Sequence, residues 1–282
     1  MTVNILDTHQ HLVQPDQLTH RWTRRIDVLA GRAFTYDDYL EASADTGITG
    51  TVFMEADADE WQREADIVVD MVADPGTIIE GVITNARPEA AEGFDAWLDH
   101  VEGKPVVGLR RILHETTDDV SQTDIFRNNL KKLAARNLTF DLNFLAPQLP
   151  IAADLLRAVE NVQFVLDHCG VPDIASGEIE DWRAEIKTLA GFPNLACKIS
   201  GITAYCASGQ ATLETLRPVV EHCIESFGWD RVIWGSDWPV CTINSSVKEW
   251  LAITREIVKN EGWENQQKFF EDNARRLYRL QK

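Results

Sequence analysis

Ile5-Leu6-Asp7-Thr8-His9-Gln10-His11 is a short apolar run that turns polar at its end. Side chains alternate along a strand, so Asp7, His9 and His11 share one face and Thr8 and Gln10 the other. Two imidazoles spaced in this way can address one ion or one substrate atom, and neutral imidazole is the commonest protein metal ligand. The same signature, an apolar run ending in a polar group, recurs along the chain and decides the fold class.

Strand candidates lie at 5–11, 50–55, 78–85, 106–113, 139–145, 162–168, 195–200 and 231–236. Helical patterns fall between and after them, at 36–46, 60–73, 91–101, 124–136, 149–159, 182–191, 213–227, 246–260 and 265–279. Alternating strands and helices argue for βαβ units and a parallel sheet. Eight such units in 282 residues predict an α/β fold, a closed (β/α)₈ TIM barrel spanning 1–282 as a single domain. An open dinucleotide-binding sheet fits less well, because no Gly-x-Gly-x-x-Gly follows the first strand and no P-loop occurs. Residues 12–34 carry little strand pattern and read as a long loop over the C-terminal face, where such loops often cover active sites.

The formal net charge of −18 concentrates no positive patch, so nucleic acid is not an expected partner. No apolar run approaches the roughly 18 residues of a spanning helix, and no secretory leader is expected. Five cysteines, Cys169, Cys197, Cys206, Cys223 and Cys241, include no Cys-x-x-Cys pair. They read as reduced thiols, which points to a cytoplasmic protein. A homodimer is consistent with the prevalence of twofold oligomers.

In a barrel the reacting groups sit at the C-terminal ends of the strands. Here those ends carry His9 and His11, then Glu55, then Arg110 and Arg111 with His114 beyond. Asp141 and Asn143 follow on the fifth, Asp167 and His168 on the sixth, Lys198 and Ser200 on the seventh, and Ser236 and Asp237 on the eighth. Alternation sends Arg110 and Arg111 to opposite faces, and Arg110 is assigned to the pocket. By the same rule Asp167 faces away from His168 and reads as structural. His20, His100 and His222 fall in loop or helix patterns and read as solvent-facing. Trp22 and Trp238 border the expected mouth.

Together these residues resemble the amidohydrolase superfamily, and within it the lactonase-rich branch acting on sugar lactones and pyrone dicarboxylates. The resemblance rests on Asp7-Thr8-His9-Gln10-His11, Gly108-Leu109-Arg110, Leu166-Asp167-His168-Cys169-Gly170 and Lys198-Ile199-Ser200-Gly201. It continues through Gly235-Ser236-Asp237-Trp238-Pro239 to Asn273-Ala274-Arg275-Arg276-Leu277-Tyr278, and so covers the chain. It implies a site at the C-terminal face with Asp237 as general base and His9, His11 and His168 around it. It also implies that Arg110 and Lys198 contact substrate oxygens. Two-metal members of the superfamily carry a bridging lysine or glutamate on the fourth strand, where this chain has Arg110. A cationic arginine cannot bridge two ions. One divalent ion, Zn²⁺, held by His9, His11 and Asp237, joined by Glu55 or His168, is expected, with metal-independent catalysis as the other state open to this branch.

The chemistry that follows is opening of a lactone, a small-molecule substrate. Asp237 takes a proton from water and returns it to the ring oxygen. Zinc, or the histidines as donors, polarises the carbonyl. Arg110, Lys198 and His114 bind substrate oxygens, and Trp22 or Trp238 packs on the ring. A sugar-acid lactone is the leading substrate class. Hydrolysis or isomerisation of a dicarboxylate lactone is the alternative, as is zinc-dependent decarboxylation of an aromatic acid. A non-catalytic binding protein on the same barrel is the reading from outside enzymology, and Asp237 with three histidines argues against it.

Overall fold

The architecture follows from eight parallel strands in the order in which the chain makes them, seen in a computed structural model that describes residues 3–280. They are β1 (Ile5–Gln10), β2 (Ile48–Met54), β3 (Ile79–Asn85), β4 (Val106–Ile112), β5 (Thr139–Asn143), β6 (Phe164–Leu166), β7 (Leu195–Ile199) and β8 (Val232–Trp234). The helices between them are α1 (Tyr36–Ser43), α2 (Trp61–Val72), α3 (Phe94–Val101), α4 (Asp124–Lys131), α5 (Leu149–Ala158), α6 (Glu180–Ala190) and α7 (Leu213–Phe227), with α8 (Val247–Val258) after β8. Several start where a hydroxyl can cap free backbone N–H groups. Thr35 and Asp38 form a reciprocal capping box on α1, and Thr123, Thr212 and Ser246 cap α4, α7 and α8. No helix among the described residues is long and apolar enough to cross a membrane.

The first and last strands meet at the C-terminal rim. The Asp237 N–H donates to the His9 carbonyl at 2.8 Å, and the His11 N–H donates to the Trp238 carbonyl at 2.8 Å. Lower in this seam the Thr8 hydroxyl donates to the Trp234 carbonyl and the Ser236 N–H to Asp7 Oδ1. The closure is thus made by the residues that flank the site.

Inside the barrel, Leu6, Val52, Met54, Ile83, Val165, Ala196 and Ile233 form an apolar layer. Ala274, Leu277 and Tyr278 plug it from below. They belong to the terminal segment, which runs as Trp263–Gln267, a π turn at Lys268–Asp272 that buries Phe269 and Phe270, and Asn273–Tyr278. The single helix expected over 265–279 is therefore interrupted. A larger apolar cluster fills the space between strands and outer helices.

Two departures from simple alternation shape the site. Asp7 pairs with Thr51 and Gln10 with Phe53, so three steps on β1 match two on β2. This extra residue is a bulge, which re-aims the side chains after it. Leu6 and His9 consequently both point inward, whereas Asp7 faces the helix layer and accepts from the Tyr39 hydroxyl at 2.8 Å. Asp7 does not share the face of His9. The second departure is at β6, which ends at Leu166 rather than at 168. His168 and Cys169 then take left-handed backbone, with φ of 54° and 56°.

Candidate active site

A cavity of about 480 Å³ opens at the C-terminal face. Strand ends supply His11, Arg110, Asn143, His168 and Asp237, and the β4 extension supplies His114. Segment 12–34 contributes Arg21, Trp22, Arg25 and Ile26 to the lining. The Trp22 indole N–H donates to the Ala56 carbonyl at 2.7 Å, which ties this loop to the one after β2. Tyr205, from the loop after β7, lines another wall.

Asp237 stands at the centre. His11 Nε2 lies 3.2 Å from its Oδ1, and His9 Nε2 lies 3.5 Å from the same oxygen. His11 Nδ1 is 2.9 Å from the Met54 carbonyl, which can only accept, so Nδ1 carries hydrogen. Nε2 and Oδ1 then share one proton as a hydrogen bond, or Nε2 offers a lone pair. His168 arrives from the left-handed turn, with its Nδ1 3.0 Å from Ser200 Oγ. The close approach of the seventh and eighth strand ends requires glycines. A Cβ on Gly201, at φ +66°, would fall 2.3 Å from His168 Nδ1, and one on Gly235 would fall 2.8 Å from His9 Cβ.

Below this surface lies a buried charged layer. Arg110 donates from Nε to Glu55 Oε1 at 2.7 Å and from Nη2 to the Glu55 carbonyl at 2.6 Å. Its Nη1 lies 3.4 Å from Asp167 and 3.3 Å from His9 Nε2. Lys198 Nζ sits between Asp141 at 2.5 Å and Asp167 at 3.0 Å. Tyr278, on the plug, donates to Asp141 at 2.8 Å. One ammonium cannot neutralise two carboxylates. Burial pushes Asp141 up to about 6 against the pull of Lys198. Burial also opposes ionisation of Asp167, but Lys198 and His9 outweigh it and hold that carboxyl well below the ordinary range. Burial drives His9 well below the usual imidazole value despite Asp167, and lowers His168 as well, so both are neutral near pH 7.

These positions revise several sequence expectations. Lys198 does not line the cavity. Alternation does turn it inward, but one layer beneath the floor, where two carboxylates hold it. Glu55 cannot serve as a metal ligand in this arrangement, because Arg110, Asn85 and the Asp57 N–H occupy its two oxygens. Trp238 turns away from the mouth and is buried edge-on against Phe34 and Tyr39, pinning loop 12–34. Asp167 is no bystander, because it links Lys198 and Arg110 to His9. Its inward direction was readable from Val165, but the turn that brings His168 to the same side was not. His20 and His222 are buried, the first beside Glu64 and the second against the Arg183 carbonyl, whereas His100 is exposed. Arg110, Trp22, His114, His168, His11 and Asp237 all border the cavity, with Arg111 outside it on Glu89. Asn143, noted at the end of the fifth strand, also lines it, as do Tyr205 and Asp57, which the sequence reading did not single out. All five cysteines are free and buried.

The donor atoms of His9, His168 and Asp237 all lie within 4.8 Å of one another. In the buried layer, the carboxylates of Glu55, Asp141 and Asp167 pair with two cations, Arg110 and Lys198. Two neutral imidazoles, a carboxylate and surplus negative charge fit one divalent ion. Of the expected ligands this trio contains His9, Asp237 and the alternative His168; His11 stays beside it, 3.2 Å from Asp237 Oδ1, and Glu55 is held by Arg110.

A family model described as Amidohydrolase matches residues 6–280. An L-fucono-1,5-lactonase from Burkholderia ambifaria is 26% identical over 280 residues, covering 98% of this chain and 95% of that protein. A 2-pyrone-4,6-dicarboxylate hydrolase from Comamonas testosteroni is 25% identical over 228 residues, covering 75% of this chain and 70% of its own length. A crystal structure of an amidohydrolase from Burkholderia multivorans with bound zinc has a TM-score of 0.89 at 22% identity, covering 99% of this chain and 100% of that one. At that identity the likeness concerns the fold, an eight-stranded (β/α)₈ barrel.

Proposed function

The chain belongs to the amidohydrolase family, and from that premise we propose that it is a lactonase that opens a sugar-acid lactone to the hydroxy acid. The observation that carries this reading is the Asp237 carboxylate, at the cavity wall and 3.2 Å from His11 Nε2. Relatives named as lactone hydrolases support the reaction class.

In this account water enters between Asp237 and the lactone carbonyl. Asp237 takes its proton as the carbon–oxygen bond forms, and later returns it to the ring oxygen as the ring opens. His11, fixed by the Met54 carbonyl, orients the carboxylate and can share that proton. Without a metal, the Ser200 hydroxyl can donate to His168 Nδ1, leaving Nε2–H to face the developing oxyanion; with a metal, the serine hydroxyl accepts from Nδ1–H and Nε2 keeps its lone pair for the ion. A zinc ion, when held by His9, His168 and Asp237, supplies Lewis acidity at the carbonyl and lowers the pKa of water.

A sugar-acid lactone is preferred to a dicarboxylate because the cations are already engaged. Arg110 spends its fork on Glu55, and Lys198 is sealed beneath the floor. The test is proton release from a panel of aldonolactones of both hands alongside dicarboxylate lactones. Turnover of an aldonolactone well above spontaneous opening is expected. Turnover confined to dicarboxylate lactones would overturn the substrate class, and no turnover at all would overturn the reaction.

A further inference from the structure

We propose that Asp57 is a specificity-determining residue, whose carboxylate accepts hydrogen bonds from the hydroxyls of a neutral polyhydroxy ring and repels substrates with a second carboxylate. The reaction it serves rests on the lactonase reading above, but the recognition rests on different side chains.

Asp57 lies two residues beyond Glu55 and lines the cavity. Its backbone is left-handed, with φ of +47°, and its N–H donates to Glu55 Oε2 at 2.9 Å. Aspartate tolerates that conformation better than most residues. Glu55 is itself locked by Arg110 and Asn85, so Asp57 stands on a rigid base. Among the described residues, its own carboxylate makes no hydrogen bond and no ion pair. The cations that act on it through space are committed elsewhere: Arg110 to Glu55, Arg87 to Asn85 and Arg111 to Glu89. Burial, reinforced by the charge of Glu55, pushes its carboxyl up, as expected of an acid short of partners. A partly desolvated polar group without a partner costs free energy, which a ligand with hydroxyl donors recovers.

The surroundings indicate the ligand. Trp22 is fastened to the carbonyl of Ala56, the residue before Asp57, so the indole and Asp57 line the same cavity from tied segments. An apolar ring face beside a carboxylate suits a ring with C–H faces and hydroxyl edges. At the mouth Arg21 is paired with Asp59 at 2.6 Å and Arg25 with Glu115 at 3.4 Å. Among the described residues, each arginine that lines the cavity already faces a carboxylate, and Asp57 opposes a second one on the substrate.

The test is calorimetric titration of the full chain with two unreactive probes. The first is a panel of six-carbon aldono-1,5-lactams of both hands, and the second is isophthalate, a rigid dianion. Asp57→Asn keeps the shape and tolerates positive φ, and Asp57→Gly serves as a second variant. Both should lose tenfold or more in affinity for the lactam that binds best to the wild type, and both should bind isophthalate at least tenfold more tightly than the wild type does. Equal lactam affinity in wild type and both variants would overturn the proposal. So would absence of lactam binding to the wild type, or wild-type preference for isophthalate. Lactam binding of the expected pattern without lactone turnover would support Asp57 while removing the hydrolase reading, so the two failures are distinguishable.

Discussion

Gly201 shows how closely the site is built. Its left-handed backbone and the space it leaves allow His168 and Asp237 to meet, since a Cβ there would also lie 2.9 Å from Asp237 Oδ2. Gly201→Ala adds backbone strain of about 1–3 kcal/mol and displaces the imidazole. Misplacement of a catalytic group by about 1 Å can cost about 100-fold. The variant should therefore keep its far-UV circular dichroism while kcat falls about that much. A rate near wild type would show that His168 does not need its present place. Sequence patterning found the identities of His9, His11, His168 and Asp237, because polar residues at apolar strand ends stand out. It misjudged the directions of Asp7 and Asp167, because a bulge turns Asp7 outward and a left-handed turn brings His168 to the same side as Asp167. Asp57 and Tyr205 gave no signal, since loop residues have no period from which to read a face.

At the scale of elements, strand register rather than loop chemistry builds the layer under the site. Asp141, Asp167 and Lys198 come from β5, the end of β6 and β7, and Tyr278 reaches them from the terminal plug. Removing one partner of a buried ion pair typically costs about 3–5 kcal/mol. Lys198→Met should be destabilised by that order in urea unfolding, and Lys198→Met combined with Asp141→Leu should recover part of the loss. A single variant as stable as wild type would mean that this cluster contributes nothing to stability. All eight strands were legible because each is an apolar run of ordinary length between turn signals. The depth of Lys198 was not, because alternation tells which face a residue takes and not which layer it occupies. The π turn at Lys268–Asp272 was hidden for a related reason, since its buried phenylalanines fit a continuous helical pattern equally well.

For the whole molecule, burial of neutral imidazoles links stability to pH. His9 and His168 have lowered values in the folded state. Their contribution is complete above the unfolded value near 6.5 and is lost as pH falls toward the folded values, because the unfolded chain takes up protons that the folded one refuses. With metal removed by chelator, the melting temperature should fall from pH 6.5 to 5.5, and more steeply in the wild type than in His168→Asn. Equal slopes would show that His168 is not held neutral by burial. The same burial keeps the imidazoles available as lone-pair donors or as hydrogen-bond donors at neutral pH, which is the state the chemistry needs.

The most direct test of the central claim is the rate of proton release from the best aldonolactone by wild type and by Asp237→Asn, at matched folding and with and without chelator. Positioned general acid–base catalysis is worth about 10²–10⁴. A loss of kcat in that range is expected for the variant in both conditions, with its melting temperature close to wild type. Turnover by Asp237→Asn at the wild-type rate would contradict it and move the base to another group in the cavity.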